Sequence, residues 1–526
     1  MSLIVGEPRL TGNRRALPAF FAHLRTALPL IAVVIAAIAL RFFIILTADV
    51  SWLITLAEKV LDGNRLYIDF IETNPPASIL IYAPAVALAR ALGLAPETVV
   101  NAFVFLAAGV SLWIASRILL RARLLDGVDG WTLAAFAALL LLVFPAQSFA
   151  QREHIAVIVL LPALAVYVAR AQGIAPGLAA AIIAGIGIGI TVSIKPHFAF
   201  AVLLAAAASA WHAKSWRPLF AIEHWIAGII VAIYGASILV FFPQYVSDVL
   251  PLLQAIYLPT RQPWFVLFTS LPILLWLLSV LLLAGQKQWA LWEPRFSVPL
   301  MASCGFVLAY LVQGKAWSYQ TYPMLALSLL AVVILLSERV EKTRNENAST
   351  NPRAARLLLF VTAAGFFFVG FNWMHDVSDF TSLAGTIRQN ATRPKMLVIS
   401  EEWGLGHPLV RQVRGQWVQR FGSLWITECA EWLLARERSP AGRTRLESYM
   451  ALDRAMLLED IRRQQPDIIL LDSDWEARTR ADPALSEELK AYDEVGRKVV
   501  DVGRAHEITI LRRQSRETPP AGVGGL

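Results

Sequence analysis

The chain has 526 residues, of which 57% are apolar and only 16% charged; soluble domains run near a quarter charged, so an ordinary soluble protein is excluded. A formal charge of +8 does not point to nucleic acid, because the basic residues cluster between apolar runs as positive-inside bias requires. Two cysteines, Cys304 and Cys429, make neither a disulfide framework nor a metal set.

The N-terminal segment MSLIVGEPRLTGNRR has no cleavable-signal pattern, since Arg14, Arg15 and Arg25 precede an apolar run that stays as an anchor. With Arg9, these residues place 1–27 in the cytoplasm. Apolar runs then lie near 28–47, 77–94, 101–117, 131–147, 155–169, 177–194, 198–211, 223–242, 263–284, 296–312, 321–337 and 355–372. Many are long enough to cross a hydrocarbon core of ~30 Å, which predicts a polytopic α-helical membrane domain over 28–372 with about 11 to 13 spanning helices. Basic clusters at Arg117, Arg121 and Arg123, at Arg170, at Lys214 and Arg217, at Lys287 and Arg295, and in the linker SERVEKTRNENASTNPRAAR are expected to face inward.

One parity problem follows. Pro76 is expected outside and Arg117 inside, yet two apolar runs separate them. Either 77–94 or 101–117 does not span fully, or one basic loop breaks the rule. The run with Pro84, Arg90 and Gly93 is a fair re-entrant or tilted segment, tolerated where other helices cover it. The GIGIG stretch at 185–189 lies inside an apolar run and reads as close helix packing, not as a phosphate loop.

From residue 373 hydropathy falls to that of a soluble domain, expected on the outer side. MLVIS (396–400) and DIILLDS (467–473) read as buried strands, DRAMLLEDIRRQQ (453–465) as a helix stopped by Pro466, and EITILRR (507–513) as a third strand. TPPAGVGGL is a frayed tail. The prediction is an α/β domain over 373–526.

Four polar clusters interrupt the apolar pattern, and the predicted topology brings all four to the outer face. The first is the loop 48–76, in which Asp49–Pro76 carries five acids, two bases, Tyr67 and a double proline. The others are Gln151-Arg152-Glu153-His154, Lys195-Pro196-His197, and Gln313-Gly314-Lys315 with Trp317 and Tyr319. Charged groups beside spanning segments are expensive and are functional candidates by default. Each also has a plainer explanation. The lysines could snorkel, Arg152 and Glu153 could pair structurally, His154 and His197 could be satisfied interface residues, and Trp52, Tyr67, Trp317 and Tyr319 could be belt aromatics. Asp49 could cap the helix that follows it, and Asp62, before Gly63, makes a turn.

A carboxylate can act as general base towards an acceptor hydroxyl. Lys, Arg and His together can hold a phosphate and stabilise it as a leaving group. That combination at a membrane face suggests a lipid-phosphate-linked donor. A divalent cation, Mg or Mn, could also sit on carboxylates, though no ligand-spacing signature is present and no residue is assigned to metal.

The order of an apolar helix ending in Asp49, the amphipathic WLITLAEKVLDG, and NRLYIDFIETNPP before the next helix resembles the first outer loop of the multi-pass GT-C glycosyltransferases. Within them it is most similar to the bacterial branch grouped with rhizobial galacturonosyltransferases and protein mannosyltransferases. The resemblance implies use of a polyprenyl-phosphate sugar and transfer to an envelope glycan, lipid or protein. It implies that Asp49 is the catalytic loop acid and that Tyr67, Asp69 and Glu72 line the donor or acceptor site. Two positions depart from the family: Val50 stands where a second acid is common, and Asn74 where a lysine often precedes the double proline. The resemblance covers the first 120 or so residues and the layout to 372; the soluble domain adds little to it.

These readings combine into an inverting glycosyltransferase of the bacterial plasma membrane, with site and C-terminal domain facing the periplasm or exterior. Asp49 and then Glu72 are the expected bases, with Arg152, Lys195, His197 and Lys315 on the lipid phosphate and Glu153, His154, Gln313 and Tyr319 completing the substrate site. Membrane lipids are expected partners. A flippase or transporter of a lipid-linked glycan would show repeated halves and broken helices at mid-depth, and neither is visible. A ligase moving a whole glycan is a nearer alternative. An envelope scaffold or sensor would keep its role when the loop acids are changed.

Overall fold

The computed structural model describes residues 16–126, 128–286, 293–345, 352–375 and 378–514. Arg9, Arg14, Arg15, Lys287, the middle of the basic linker (346–351) and the TPPAGVGGL tail lie outside the described residues. Among them, five helices are long and apolar enough to cross a membrane: Pro96–Arg121, Arg152–Ala171, Ile222–Phe241, Pro294–Gln313 and Ser318–Glu338. Shorter apolar helices, including Thr26–Leu40, Gly130–Leu142, Leu178–Ile194 and Phe360–Trp373, complete a multi-pass helical bundle.

The helices divide by burial. Arg152–Ala171 and Ser318–Glu338 are enclosed by protein over 83% and 89% of their apolar stretches, whereas Ile222–Phe241 is enclosed over only 6%. The first two form the centre and the third is a lipid-facing wall, so uniform apolarity serves opposite ends in different helices. The GIGIG stretch packs as expected. A Cβ on Gly185 would lie 2.7 Å from the Glu223 carbonyl oxygen, and one on Gly189 would lie 2.9 Å from Ile230 Cβ. The Ile222–Phe241 helix approaches that closely only because side chains are missing.

The parity problem resolves at 77–94. This run is broken into Ala77–Leu80 and Ala83–Leu92, and ten helical residues rise only ~15 Å. It starts at the face of the bundle carrying residues 49–76, hereafter the loop face, where Ala77 N–H donates to Tyr234 Oη at 3.0 Å. It ends at the same face, where Arg90 Nη1 lies 2.8 Å from Asp62 Oδ1. The Pro96–Arg121 helix then leaves from that face, with Glu97 paired to Arg411 of the C-terminal domain. Successive helices thereafter return Gln151, Lys195 and Lys315 to the loop face and leave Arg170, Lys214 and Arg295 at the other.

The C-terminal domain holds a five-stranded sheet of order β2-β1-β3-β5-β4. Its strands are β1 (Lys395–Ile399), β2 (Gln416–Trp417), β3 (Ile468–Asp472), β4 (Tyr492–Asp501) and β5 (Ala505–Arg513). β1 pairs in parallel with β2 and β3, while β5 runs antiparallel to both β3 and β4. β3 is buried at every residue and β1 at all but Lys395, as continuous apolar runs in a covered parallel sheet should be. The 453–465 helix is longer than its periodicity suggested, running Pro440–Gln464 with Ser439 capping its start. β2 and β4 are additions to the predicted strands. β4 (YDEVGRKVVD) lies at the sheet edge with only Val500 buried, so its charges conceal it from an apolar-pattern search.

The domain is clasped to the bundle. Arg411 Nη1 lies 2.5 Å from Glu58 Oε2 and its Nε also meets Glu97. Ile71 N–H donates to the Arg420 carbonyl at 2.8 Å. Trp52 of the loop helix stacks edge-on against Trp403, His407 and Trp417, with ring centroids 6.1, 5.3 and 6.3 Å away.

Candidate active site

The loop begins with a cap. Thr47 Oγ1 accepts from Val50 N–H at 3.2 Å and opens the Ala48–Leu61 helix. The capping role open to Asp49 therefore belongs to Thr47, and Asp49 sits in the first helical turn with its carboxylate free for other contacts. Gln151 Nε2 donates to the same Thr47 Oγ1 at 2.8 Å, tying the loop to the start of the next polar cluster.

Asp49 Oδ2 lies 2.5 Å from Arg152 Nη2, and the Arg152 side chain is only 2% exposed. Behind this pair, Lys195 Nζ lies 2.5 Å from Glu153 Oε1 and also donates to Gln313 Oε1 at 3.2 Å. Arg152 and Glu153 are thus not paired with each other; each takes a partner from another segment. Buried charges of this kind persist only when paired and hydrogen-bonded. Arg152 meets that requirement incompletely: its Nε and Nη1 have no partner among the described residues. His197 Nε2 is likewise unpartnered.

These groups open onto a cavity of about 920 Å³ at the loop face. Asp49, Glu72, Arg152, Lys195, His197, Gln313, Lys315 and Tyr319 all line it. Four other predicted site residues do not. Glu153 lies behind Lys195, fully buried. His154 uses both ring nitrogens internally, with Nδ1 accepting from Ala150 N–H at 3.0 Å and Nε2 lying 2.7 Å from the Leu141 carbonyl. Tyr67 holds the loop's shape, its hydroxyl donating to the Asn74 carbonyl at 2.6 Å. Asp69 is exposed and accepts from the Arg65 backbone N–H at 2.7 Å.

Two lining residues are more constrained than the sequence suggests. Glu72 accepts from Trp52 Nε1 at 2.6 Å, from the Asn74 backbone N–H at 3.0 Å and from Thr73 Oγ1 at 3.1 Å, so both oxygens are already engaged. That carboxylate is suited to holding the loop and poorly placed to take another proton. Lys315 donates to the Tyr257 carbonyl (2.6 Å), the Thr260 carbonyl (2.5 Å) and Thr260 Oγ1 (2.7 Å). An ammonium has three donors, so Lys315 braces the 257–260 segment.

The opposite wall comes from the C-terminal domain, which sequence reasoning left out of the site. Glu401, Glu402, Trp403, His407, Ser423, Trp425, Glu428 and Trp432 all line the cavity. Glu401 and Glu402 follow the carboxyl end of β1, which lies between β2 and β3. This is the topological switch point at which open α/β sheets bind ligands, and Glu-Glu-Trp directly after MLVIS was the available signal. Glu428 is open to the cavity, yet the protein around it, and then Glu401 and Glu402, push its pKa up to about 7. Burial holds the His407 imidazole well below its ordinary value, with Arg411 and Lys59 adding to the effect. His407 Nε2 and Ser423 Oγ have no protein partner among the described residues.

Among the described residues, one group of at least three possible metal ligands occurs: Asp472, Asp474 and His506. None of the three lines the cavity. His506 Nδ1 lies 2.8 Å from Asp472 Oδ2, while Arg504 reaches His506 Nε2 at 3.2 Å and Asp474 Oδ2 at 2.8 Å. Arg504 already bonds two of the three residues and the third, Asp472, bonds His506, so no open ligand set is presented to a divalent cation. In the cavity, Asp49 and Glu72 are engaged by Arg152 and by the loop, and they form no ligand cluster.

No protein-family model matches the chain, and no curated protein sequence matches it. Among solved structures it is similar to the crystal structure of ArnT from Cupriavidus metallidurans in the apo state, at 14% sequence identity and a TM-score of 0.49. That match covers 91% of this chain and 97% of the other.

Proposed function

We propose that this chain is a GT-C-type glycosyltransferase that moves a sugar from a polyprenyl-phosphate donor to a hydroxyl of a cell-envelope glycan, lipid or protein. The observation that carries the reading is the Asp49–Arg152 pair at the cavity wall. One guanidinium nitrogen is bound to a carboxylate, and the other two have no protein partner among the described residues. An anion with tetrahedral oxygens is what a buried, half-satisfied guanidinium recognises.

In this reading Arg152, Lys195 and His197 hold the donor phosphate. Asp49 accepts the proton of the acceptor hydroxyl as its oxygen attacks the anomeric carbon. The bond from that carbon to the phosphate oxygen breaks, and polyprenyl phosphate leaves with its new negative charge against Arg152. A single displacement inverts the anomeric centre. Glu72 positions Asn74 and Trp52, and Lys315 braces the wall beside Lys195. The Glu401, Glu402 and Glu428 wall, with its Trp residues, faces the acceptor side. The site opens to the periplasm or exterior of a bacterial plasma membrane.

The test is transfer from a polyprenyl-phosphate-linked sugar in membranes containing Asp49→Asn. Loss of transfer with the protein still inserted supports the reading. Undiminished transfer removes Asp49 from the mechanism and the reading with it.

A further inference from the structure

A second, larger cavity of about 1200 Å³ lies within the membrane part and belongs to none of the chemistry above. Its walls are the helices Ala16–Leu40, Pro96–Arg121, Gly130–Leu142, Arg152–Ala171 and Ser318–Asn345. It runs from Phe42 and Thr98 at the loop face to Leu125, Trp131 and Arg295 at the other. Along the Pro96–Arg121 helix, Thr98 to Leu119 spans ~30 Å at 1.5 Å per residue, so the groove follows nearly the full hydrocarbon depth. Its rim is open sideways, with Leu106 66% and Trp113 64% exposed.

The polar groups in this groove are concentrated at its loop-face end. Arg41 donates from Nη1 to the Ala146 carbonyl at 2.9 Å and lies 4.5 Å from the centroid of the Phe149 ring. Its Nε and Nη2 have no partner among the described residues, and no carboxylate pairs with it there. Glu97, which also lines the groove, is paired with Arg411. Asn101, one turn further in, has an unpartnered Oδ1. At the opposite end the cation is already matched, since Arg295 pairs with Glu293 and Glu338. Among the described residues the groove therefore has one uncompensated charge, at its loop-face end. A guanidinium in that setting is costly unless an anion meets it.

We propose that this groove binds an anionic phospholipid, its hydrocarbon chains along the 102–138 walls and its phosphate on Arg41. Charge complementarity selects the occupant, because a guanidinium grips phosphate in two-point fashion. The site is separate from the polar cavity, for no residue lines both. The Ala146–Phe149 turn divides them, with Arg41 bonded to Ala146 on one side and Gln147 and Ser148 lining the cavity on the other.

The experiment uses the full chain in detergent, titrated with phosphatidylglycerol or with phosphatidylcholine of identical acyl chains. Bound lipid is counted by native mass spectrometry and the thermal midpoint is recorded. One Arg contact predicts about a fivefold preference for phosphatidylglycerol in the wild type, with a matching upward shift of the midpoint. Arg41→Gln loses the preference. Gly109→Trp, at a wall position where a Cβ meets no atom within 4 Å, lowers occupancy of both lipids without disturbing packing. Equal response to the two lipids, or a preference that survives Arg41→Gln, overturns the proposal. So does finding that polyprenyl phosphate displaces phosphatidylglycerol from the wild type in an Arg41-dependent way.

Discussion

Arg411 and Glu58 come from opposite ends of the chain and meet at 2.5 Å, Arg411 Nη1 to Glu58 Oε2. Arg411 is 11% exposed at its side chain and also bonds Glu97 and Thr55. The clasp connects the helix that carries Asp49 to the domain that carries Glu401 and Glu428. Arg411→Ala removes a set of charge-assisted bonds and is expected to lower stability by about 2 kcal/mol. Hydrogen exchange over 401–432 should rise in the variant. Unchanged protection would mean that the aromatic packing of Trp52 holds the domain alone.

Asp49→Asn keeps an acceptor for Arg152 while removing the proposed base, so transfer should fall by about 10²- to 10⁴-fold, with a smaller loss of thermal midpoint than Asp49→Ala. Asp49→Ala leaves Arg152 with neither the charge nor an acceptor, and breaking such a pair costs about 3–5 kcal/mol. Comparing the two variants by transfer rate and by thermal unfolding separates the chemical role from the structural one.

Lys195 and Glu153 are 6% and 0% exposed at their side chains. Lys195→Met strands an enclosed carboxylate and is expected to abolish stable insertion or folding. Lys195→Met with Glu153→Gln removes both charges and should recover folded protein by size-exclusion chromatography. Transfer should stay low in the recovered protein if Lys195 holds phosphate.

The Glu428 carboxyl, with its pKa raised to about 7, gives a pH signature. The folded state binds this proton more tightly than the unfolded chain. The stability tied to it is therefore complete below the unfolded value near 4.5 and lost as pH rises through about 7. Glu428→Gln should flatten that part of the profile, so the wild-type midpoint falls relative to the variant between about pH 4.5 and 7. Glu401, Glu402, Lys315 and Arg504 are the charges acting on it. Burial of neutral His407 acts in the opposite sense, which is why the difference between wild type and variant is the quantity to read. Parallel profiles would place Glu428 in open water.

Much of this architecture was legible because it follows from one-dimensional patterns. Apolar runs gave the spanning helices, and uninterrupted MLVIS and IILLD gave the two central strands. Polar residues stranded between apolar runs, such as Arg152, Lys195 and His197, were visible as anomalies, and they do share a cavity. What was hidden depends on pairing in space. Nothing in the sequence says that Arg152 takes Asp49 while its neighbour Glu153 takes Lys195, or that Lys315 turns all its donors to Tyr257 and Thr260. Asp49 was readable as the cap, whereas the backbone gives that role to Thr47, two residues earlier. The acid-rich wall at Glu401 was overlooked because charged residues after a strand are ordinary in a soluble domain. They become notable only when the sheet's carboxyl edge faces the bundle.

The two-sided cavity has a consequence for how the protein is made. Its cationic floor is complete once residues up to about 320 are synthesised, but its roof is drawn from 401–432. The roof is held on a sheet whose last hairpin, β4–β5, ends only at Arg513. A ribosome-bound chain with every helix already inserted still exposes an open, unroofed floor. In the proposed function competence arrives late, when the last strand closes the sheet, and a chain truncated before β5 is expected to insert without transferring sugar.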